Sequence, residues 1–236
     1  MFLDSVDIIY ADMYIINEAD KILRSQCHPR IENLIFHNQI GACFLYKKTV
    51  FNKLNGYRNL FLVEDYDFWL RALKYFTFSH IKEELYYYRI HKESLTNSIS
   101  TSLLRKELYG KNLSIMFSDL ILSLQVENPL FLKDFLINNI LFREINFQDI
   151  KNNNHVLRDF THQLSVYPSL VCVKCINREL VKILIQNLWS YSRANKFELS
   201  NLIFVFKNFH PFLGHREIKS LFLYFFDVLR TIKLSN

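Results

Sequence analysis

The pattern of apolar and polar positions changes along this chain near residue 100. Before that point, short apolar runs alternate with polar turns, as strands and their connections do. Beyond it, apolar residues recur every three or four positions, which is the spacing of one helix face. The polar run 98–102 lies between the two patterns. We therefore predict an α/β region at residues 1–100 and a mainly helical region at residues 101–236.

Strand and helix signals alternate within the first region. The run Ile40–Tyr46 is apolar and has strand character, and residues 47–55 follow with their apolar side chains on one side. Gly56 comes next, and glycine commonly ends a helix in a left-handed turn. Two strand-like segments, residues 76–81 and 84–91, close the region, and the second is rich in tyrosine.

Three carboxylates, Glu64, Asp65 and Asp67, stand at the start of a further predicted helix. Acids in the first helical turn lie in the positive end of the helix dipole, which favours their ionised form. An ionised carboxylate at the edge of a folded core can take a proton from a hydroxyl group. The same acids are equally suited to capping the helix. Spacing alone leaves both interpretations open.

Four short motifs follow one another in the first region. They are Gly41-Ala42-Cys43-Phe44 with Tyr46, Asn55-Gly56-Tyr57, the Glu64-Asp65 pair of Glu-Asp-Tyr-Asp-Phe-Trp-Leu-Arg, and Tyr88-Arg89-Ile90-His91. In order and separation these motifs resemble the second half of the catalytic domain of family 2 glycosyltransferases, inverting enzymes of the GT-A fold. The resemblance covers roughly residues 1–100. It implies an incomplete GT-A-like domain there, with a Rossmann-related sheet and helices, followed by the helical region.

The resemblance implies roles for individual residues. Asp65 would be the general base that deprotonates an acceptor hydroxyl, and Glu64 would position Asp65 or contact the acceptor. The oxygen would then attack the anomeric carbon of a nucleotide sugar in one displacement with inversion. Arg89 and His91 would meet the departing diphosphate, and His91 its metal, because fixed positive groups stabilise a leaving group that becomes negative. The further substrate-binding candidates are Asp67, Trp69 and Gly41. Without the resemblance, Arg89 and His91 could equally be an exposed pair at a strand end.

The donor-binding half of such an enzyme is not recognisable in this sequence. Family members hold the nucleotide sugar with an earlier βαβ half, whose Asp-x-Asp motif binds Mg²⁺ or Mn²⁺ through carboxylate oxygens. Asp4 and Asp7 lack that spacing, and the four glycines form no phosphate-binding turn. We expect either the downstream part of a divided enzyme or a chain that works with a second polypeptide. The first is favoured, because a parallel sheet without its first strands exposes an edge and an apolar face.

Composition and charge exclude some classes of protein. The 236 residues are 50% hydrophobic and 16% aromatic, which favours a folded core over disorder. The net charge of +6 is dispersed, so we do not predict nucleic-acid binding. No apolar run approaches the roughly 20 residues of a membrane-spanning helix, and residues 1–4 do not begin a signal peptide. We expect a cytoplasmic location.

The four cysteines include one Cys-x-x-Cys pair, Cys172 and Cys175. No second pair and no histidines at matching intervals accompany it, so a zinc site is not predicted. We expect all four to be buried, reduced thiols.

Helical spacing beyond residue 100 is broken by the polar run Lys151–Asn154, which predicts a loop, and Asn177 is suited to cap a helix.

The last helix carries an apolar stripe that includes Ile218, Phe222 and Phe225, bordered by basic residues. Such a helix either packs on its neighbours or lies on a membrane surface near a lipid-linked acceptor. The predicted helices cover residues 103–124, 129–144, 178–193, 199–206 and 215–233.

The predicted function is inverting transfer of a sugar from a nucleotide sugar to a hydroxyl of a cell-surface glycan or a lipid-linked acceptor. We expect the chain to work at the inner face of the membrane and to lack this activity on its own. The alternative is a non-catalytic remnant or a helical interaction module. A transferase requires the carboxylate of Asp65 for its activity, whereas a non-catalytic remnant or interaction module does not.

Overall fold

The computed structural model describes residues 5–91, 94–95, 99, 102–193 and 198–234, with the backbone alone for 191–193 and 227–234. The structure is mixed α/β, with a four-stranded sheet in the first part and helices after it. The strands are β1 (Ile8–Ile16), β2 (Ile22–Gln26), β3 (Phe44–Tyr46) and β4 (Phe78–Arg89). The α-helices are α1 (Lys48–Leu54), α2 (Glu64–Leu73), α3 (Leu103–Leu122), α4 (Pro129–Ile140), α5 (Phe147–Asn152), α6 (Asn154–Leu164), α7 (Val173–Arg193), α8 (Leu199–Phe209) and α9 (His215–Leu234). Short 3-10 helices lie at Ile31–Ile35 and His210–Phe212.

β1 is the central strand of the sheet. It pairs in parallel with β4 along its whole length, from Ile8 opposite Phe78 to Ile16 opposite Arg89. Its other edge carries two short antiparallel partners, β3 beside its first residues and β2 beside its last. Because both edges are occupied and both faces are covered, most of β1 is buried. A nearly continuous apolar strand is what such a position requires.

The apolar core is continuous across residue 100. Polar side chains of the helices also reach the loops around the sheet. Asn139 Nδ2 in α4 donates to the Phe36 carbonyl at 2.9 Å, and Asn112 Nδ2 in α3 donates to the Phe61 carbonyl at 2.9 Å. Because buried carbonyls are costly to leave without partners, these bonds fix the loops on the helices.

Several predicted elements are confirmed with shifted ends. α1 ends where expected, and both Asn55 and Gly56 adopt the left-handed conformation, with φ of 54° and 71°. Helices are also found over most of each span predicted beyond residue 100. Within residues 40–46, only Phe44–Tyr46 is strand, and the two strand-like segments after α2 form the single strand β4.

Three predictions are wrong. Residues 151–154 are not a loop, because α5 and α6 meet there at Asn153. Asn177 does not cap a helix, since α7 begins earlier, at Val173. The cysteines are not all buried, reduced thiols, because Cys172 and Cys175 form a disulfide and Cys27 is exposed.

None of the helices within the described residues has both the length and the apolar character needed to cross a membrane.

Candidate functional site

Asp65 lies in the first turn of α2 and is held by two neighbours. Asn38 Nδ2 donates to both of its carboxylate oxygens, at 3.3 Å each, and the Tyr66 backbone N–H donates to Oδ1 at 2.6 Å. No lysine, arginine or histidine among the described residues forms an ion pair with it. The carboxylate is therefore oriented without being neutralised.

Burial raises the pKa of Asp65 above its ordinary value, and the charge of Glu64 raises it further. Hydrogen bonds from Tyr66 and Asn38 act in the opposite direction but do not cancel the rise. A carboxylate with a raised pKa is a stronger base, so this environment suits proton abstraction from a hydroxyl group.

Two tyrosines lie close enough to Asp65 for its charge to act on them. Burial raises the pKa of Tyr109, on α3, and the charge of Asp65 adds to the rise. Burial also raises the pKa of Tyr57, where a hydrogen bond to Tyr46 and the charge of Asp65 contribute further. Both phenol groups stay protonated. The Tyr57 hydroxyl donates its hydrogen to the Tyr46 oxygen at 3.4 Å, so Tyr57 can accept a hydrogen bond from a ligand at Asp65, whereas Tyr109 can donate one.

Glu64 contributes an oxygen that has no partner within the described part of the chain. Its Oε2 atom is buried and accepts no hydrogen bond. Such an atom costs free energy in a folded protein and calls for an explanation. Because this atom is closed to solvent, a ligand hydroxyl could reach it only if the surrounding side chains moved.

Asp67 and Trp69 face the interior and not the Asp65 side of α2. Asp67 is 1% exposed, and its two oxygens bind the guanidinium groups of Arg58 and Arg71. Trp69 is 0% exposed, with its ring centroid 4.8 Å from that of Phe44 on β3. These positions favour a structural role for both residues, because neither presents a free surface to a substrate.

Gly41 lies where the loop before β3 passes close to β1. A Cβ atom at Gly41 would lie 2.6 Å from Met13 Cε and 2.9 Å from the His28 ring. A side chain at this position would therefore require Met13 and His28 to move. Whether the backbone of Gly41 also contacts a substrate stays a prediction.

A buried polar cluster adjoins Gly41. The His28 backbone N–H donates to Asp12 Oδ1 at 2.7 Å, and His80 Nε2 lies 2.6 Å from the same oxygen. Burial lowers the pKa of His28, which favours its neutral form. The cluster joins β1 and β4 to the loop that follows β2.

Arg89 lies at the other end of the sheet from β3. Its guanidinium binds Asp20 and donates to the carbonyls of Asn17 and Glu18, at 2.9 and 3.3 Å. These contacts hold the β1–β2 hairpin. His91 is exposed just beyond the end of β4. The structure thus groups Glu64 and Asp65 with Asn38, and it places Arg89 on the hairpin.

Asp7, near the start of the chain, has no oxygen left for a divalent metal. Asp7 Oδ1 binds Lys47 Nζ at 3.2 Å, and Oδ2 accepts from the backbone and hydroxyl groups of Thr77 at 3.0 and 2.9 Å. Burial raises the pKa of Asp7, but these bonds outweigh it and lower the pKa below its ordinary value. Both oxygens are committed to protein partners, and Asp4 lies outside the described residues.

In comparisons with known proteins, no family model, no curated protein and no solved structure matches this chain. The interpretation of the site therefore rests on its own geometry.

Sequence reasoning missed several residues of this site. Asn38 lies 27 positions from Asp65 and Tyr109 belongs to the helical region, so no local pattern connects them. The Asp12, His28 and His80 cluster is equally scattered. Asp12 is a polar residue within the apolar run of β1, and this was the one sequence feature that could have indicated the cluster.

Proposed function

We propose that this chain is the acceptor-side part of an inverting, family 2-like glycosyltransferase with an incomplete GT-A-like domain. Asp65 takes the proton of an acceptor hydroxyl, and the resulting oxygen attacks the anomeric carbon of a nucleotide sugar. The observation that carries the proposal is that Asp65 is oriented by Asn38, has a raised pKa and is not neutralised by a described cation.

The surroundings of Asp65 suit a polyhydroxylated acceptor. Tyr109 offers a phenol donor, while Tyr57 offers an acceptor oxygen and an aromatic surface. A sugar carries hydroxyl groups that both donate and accept, so an acid beside tyrosines complements it. Glu64 would help to orient Asp65, which receives the proton of the acceptor hydroxyl.

The proposal is tested in the cell of origin, where a separate donor-binding chain would be present. Deletion of the gene should remove a glycan modification detected by mass spectrometry of surface and lipid-linked glycans. Restoring the wild-type gene should return it, whereas Asp65→Asn should reduce it by roughly 10²-fold or more, as expected for loss of a general base. Asp134→Asn, an exposed acid on α4, is the matched control and should restore it fully. Unchanged glycans after deletion would contradict the proposal.

We further propose that the α8–α9 face docks on the surface of an anionic membrane, near a lipid-linked acceptor. An apolar groove of about 360 Å³ separates the two helices. Phe206 and Phe222 on its rim are 57% and 59% exposed, and Lys207 lies beside them. Exposed aromatic rings with a bordering cation are typical of helices that lie in a lipid interface.

One observation favours the second candidate, a non-catalytic remnant. Arg89, which resembles the diphosphate-binding residue of the family, binds the β1–β2 hairpin instead of pointing into an open cleft. In that case Asp65→Asn would restore the deletion strain as well as the wild-type gene does. The same complementation experiment therefore distinguishes the two candidates.

A further inference from the structure

A buried carboxylate lies against the disulfide of the helical region. The ligand atoms of Glu32, Cys172 and Cys175 all lie within 4.8 Å of one another. Glu32 belongs to the 3-10 helix Ile31–Ile35, which packs against α7. The two cysteines stand at the start of α7. Residues from the two sequence regions thus meet at one point.

Among the residues that the structure describes, no cation lies within hydrogen-bonding distance of Glu32. Its side chain is 7% exposed, and the cation paired with it is Arg30, whose Nε lies 3.8 Å away and whose side chain is 72% exposed. That separation is longer than a hydrogen bond. A buried carboxylate is costly unless a cation or several donors compensate it. A metal ion between Glu32 and the two sulfurs would supply that charge.

The start of α7 suits thiolate ligands. The backbone N–H groups of Cys175 and Ile176 donate to the Cys172 carbonyl at 2.8 and 3.1 Å, so Cys172 stands directly before the first helical turn. The positive end of the helix dipole favours thiolate over thiol. Both cysteines are half-buried, which lets an ion reach them from solvent.

We propose that Glu32, Cys172 and Cys175 form a zinc site when the two cysteines are reduced. Zinc binds thiolate sulfur at about 2.3 Å and carboxylate oxygen at about 2.0–2.2 Å, and three protein ligands leave a fourth position for water. The ligand atoms of such a site are roughly 3.6–3.8 Å apart. All three ligand atoms here lie within 4.8 Å of one another, and the two sulfurs, which are bonded to each other in this structure, would move apart to that spacing after reduction. Bound zinc would join the 3-10 helix to α7 and so tie the two regions together.

The disulfide and the zinc site are alternative states of the same cysteines. A small-molecule disulfide can oxidise the zinc-bound dithiolate in two steps of thiol–disulfide exchange. A sulfur–sulfur bond then forms between Cys172 and Cys175, and the small disulfide accepts two electrons to become two thiolates, which take their protons from water. Zinc is released as the divalent ion. This inference is independent of the proposed glycosyl transfer.

The experiment titrates the full chain with zinc chloride in the presence of a chromophoric chelator. The chain is reduced with a phosphine in the absence of oxygen, and an oxidised sample is measured beside it. We expect one equivalent to bind with submicromolar affinity after reduction and none to bind after oxidation. Cys172→Ser and Cys175→Ser should abolish binding, and Glu32→Gln should weaken it by about tenfold or more.

Cys27→Ser/Cys43→Ser is the matched control, because it removes the two other cysteines and should bind zinc as the wild type does. A second readout needs no variant: cobalt added to the reduced wild-type chain should give the near-ultraviolet absorption of thiolate ligation. Absence of zinc binding by the reduced chain, binding that survives Cys172→Ser, or binding that is lost in the control would each overturn the proposal. So would a cobalt spectrum without thiolate bands.

Discussion

Asn38 donates from a single amide nitrogen to both carboxylate oxygens of Asp65, at 3.3 Å each. This contact orients the carboxylate and favours its charged form. Burial and the charge of Glu64 act against the charged form and prevail, so the pKa of Asp65 in the folded protein is raised. Ionisation of Asp65 therefore lowers the free energy of unfolding, and this loss is the cost of the oriented carboxylate.

That cost has a defined pH dependence. Below the ordinary value of 3.8, Asp65 is protonated in both the folded and the unfolded chain, and the cost is absent. As the pH rises through the raised pKa, the folded protein must ionise a half-buried group, and the cost becomes complete. Asp65→Asn should therefore raise the unfolding temperature at pH 7 by about 2–4 °C, with the gain disappearing towards pH 4. Thermal scans across this range test it, with Asp134→Asn expected to show no gain; a lower unfolding temperature for Asp65→Asn at pH 7 would contradict it.

Asp67 should behave in the opposite way. Asp67→Asn leaves Arg58 and Arg71 without the buried carboxylate that binds both, and we expect a loss of about 3 kcal/mol in the free energy of unfolding. Urea denaturation measures this loss. Asp119→Asn is the control, because Asp119 binds the same Arg58 but is about half exposed, and its loss should stay below about 1 kcal/mol. Equal effects of the two changes would argue against the buried pairing.

Gly41→Ala should destabilise the protein by about 1–3 kcal/mol, because the new methyl group would press against Met13 and His28. Gly110→Ala is the matched control, because it makes the same change at a glycine whose surroundings leave room for a methyl group. Gly110 lies inside α3, where a Cβ atom would meet its first neighbour, Leu141 Cδ1, at 3.8 Å. Alanine there should instead stabilise the protein by about 0.5–1 kcal/mol through its higher helix propensity. Denaturation curves of the two variants should shift in opposite directions.

The purified chain alone should not bind a nucleoside diphosphate. Both oxygens of Asp7 are occupied by Lys47 and Thr77, so they are not free to ligate the metal that bridges a diphosphate. Calorimetric titration with uridine diphosphate and manganese should give only the heat of dilution. Micromolar affinity would refute this expectation and would place a donor site within this chain.

The membrane proposal predicts flotation with anionic vesicles but not with zwitterionic ones. Phe206→Glu/Phe222→Glu puts two negative charges on the rim of the α8–α9 groove and should abolish the recovery of protein with lipid. Leu130→Glu/Val166→Glu changes two equally exposed apolar residues elsewhere, at 67% and 78% exposure, and should float as the wild type does. Negligible recovery of the wild-type chain would exclude membrane docking.

Periodicity located most helices because burial of one face imposes a regular spacing on the sequence. It failed at Lys151–Asn154, where polar residues suggested a loop although apolar residues on either side, Phe147 and Phe160 among them, are buried. An asparagine in such a pattern does not distinguish a loop or a helix cap from the interior of a helix. Asn177 lies inside α7, where it donates to the Val173 carbonyl and pairs with another buried side chain. Tertiary packing decided both cases.

The candidate site was predictable only in part for a similar reason. Sequence placed Asp65 and Asp67 together at the start of α2, and their two-residue separation turns them to opposite sides of the helix. Which side faces the core depends on Arg58 and on Phe44 of β3, which approach from other parts of the fold. Asn38 could not be foreseen, since its position depends on a loop fixed by distant residues.

That loop gives the helical region influence over the chemistry at Asp65. Asn139 in α4 holds the Phe36 carbonyl, and two residues later the same backbone carries Asn38. A substitution at Asn139 would therefore alter the proton affinity of a carboxylate that it never touches. The environment of Asp65 therefore depends on how the helices pack as well as on the strands and on the residues of α2 itself.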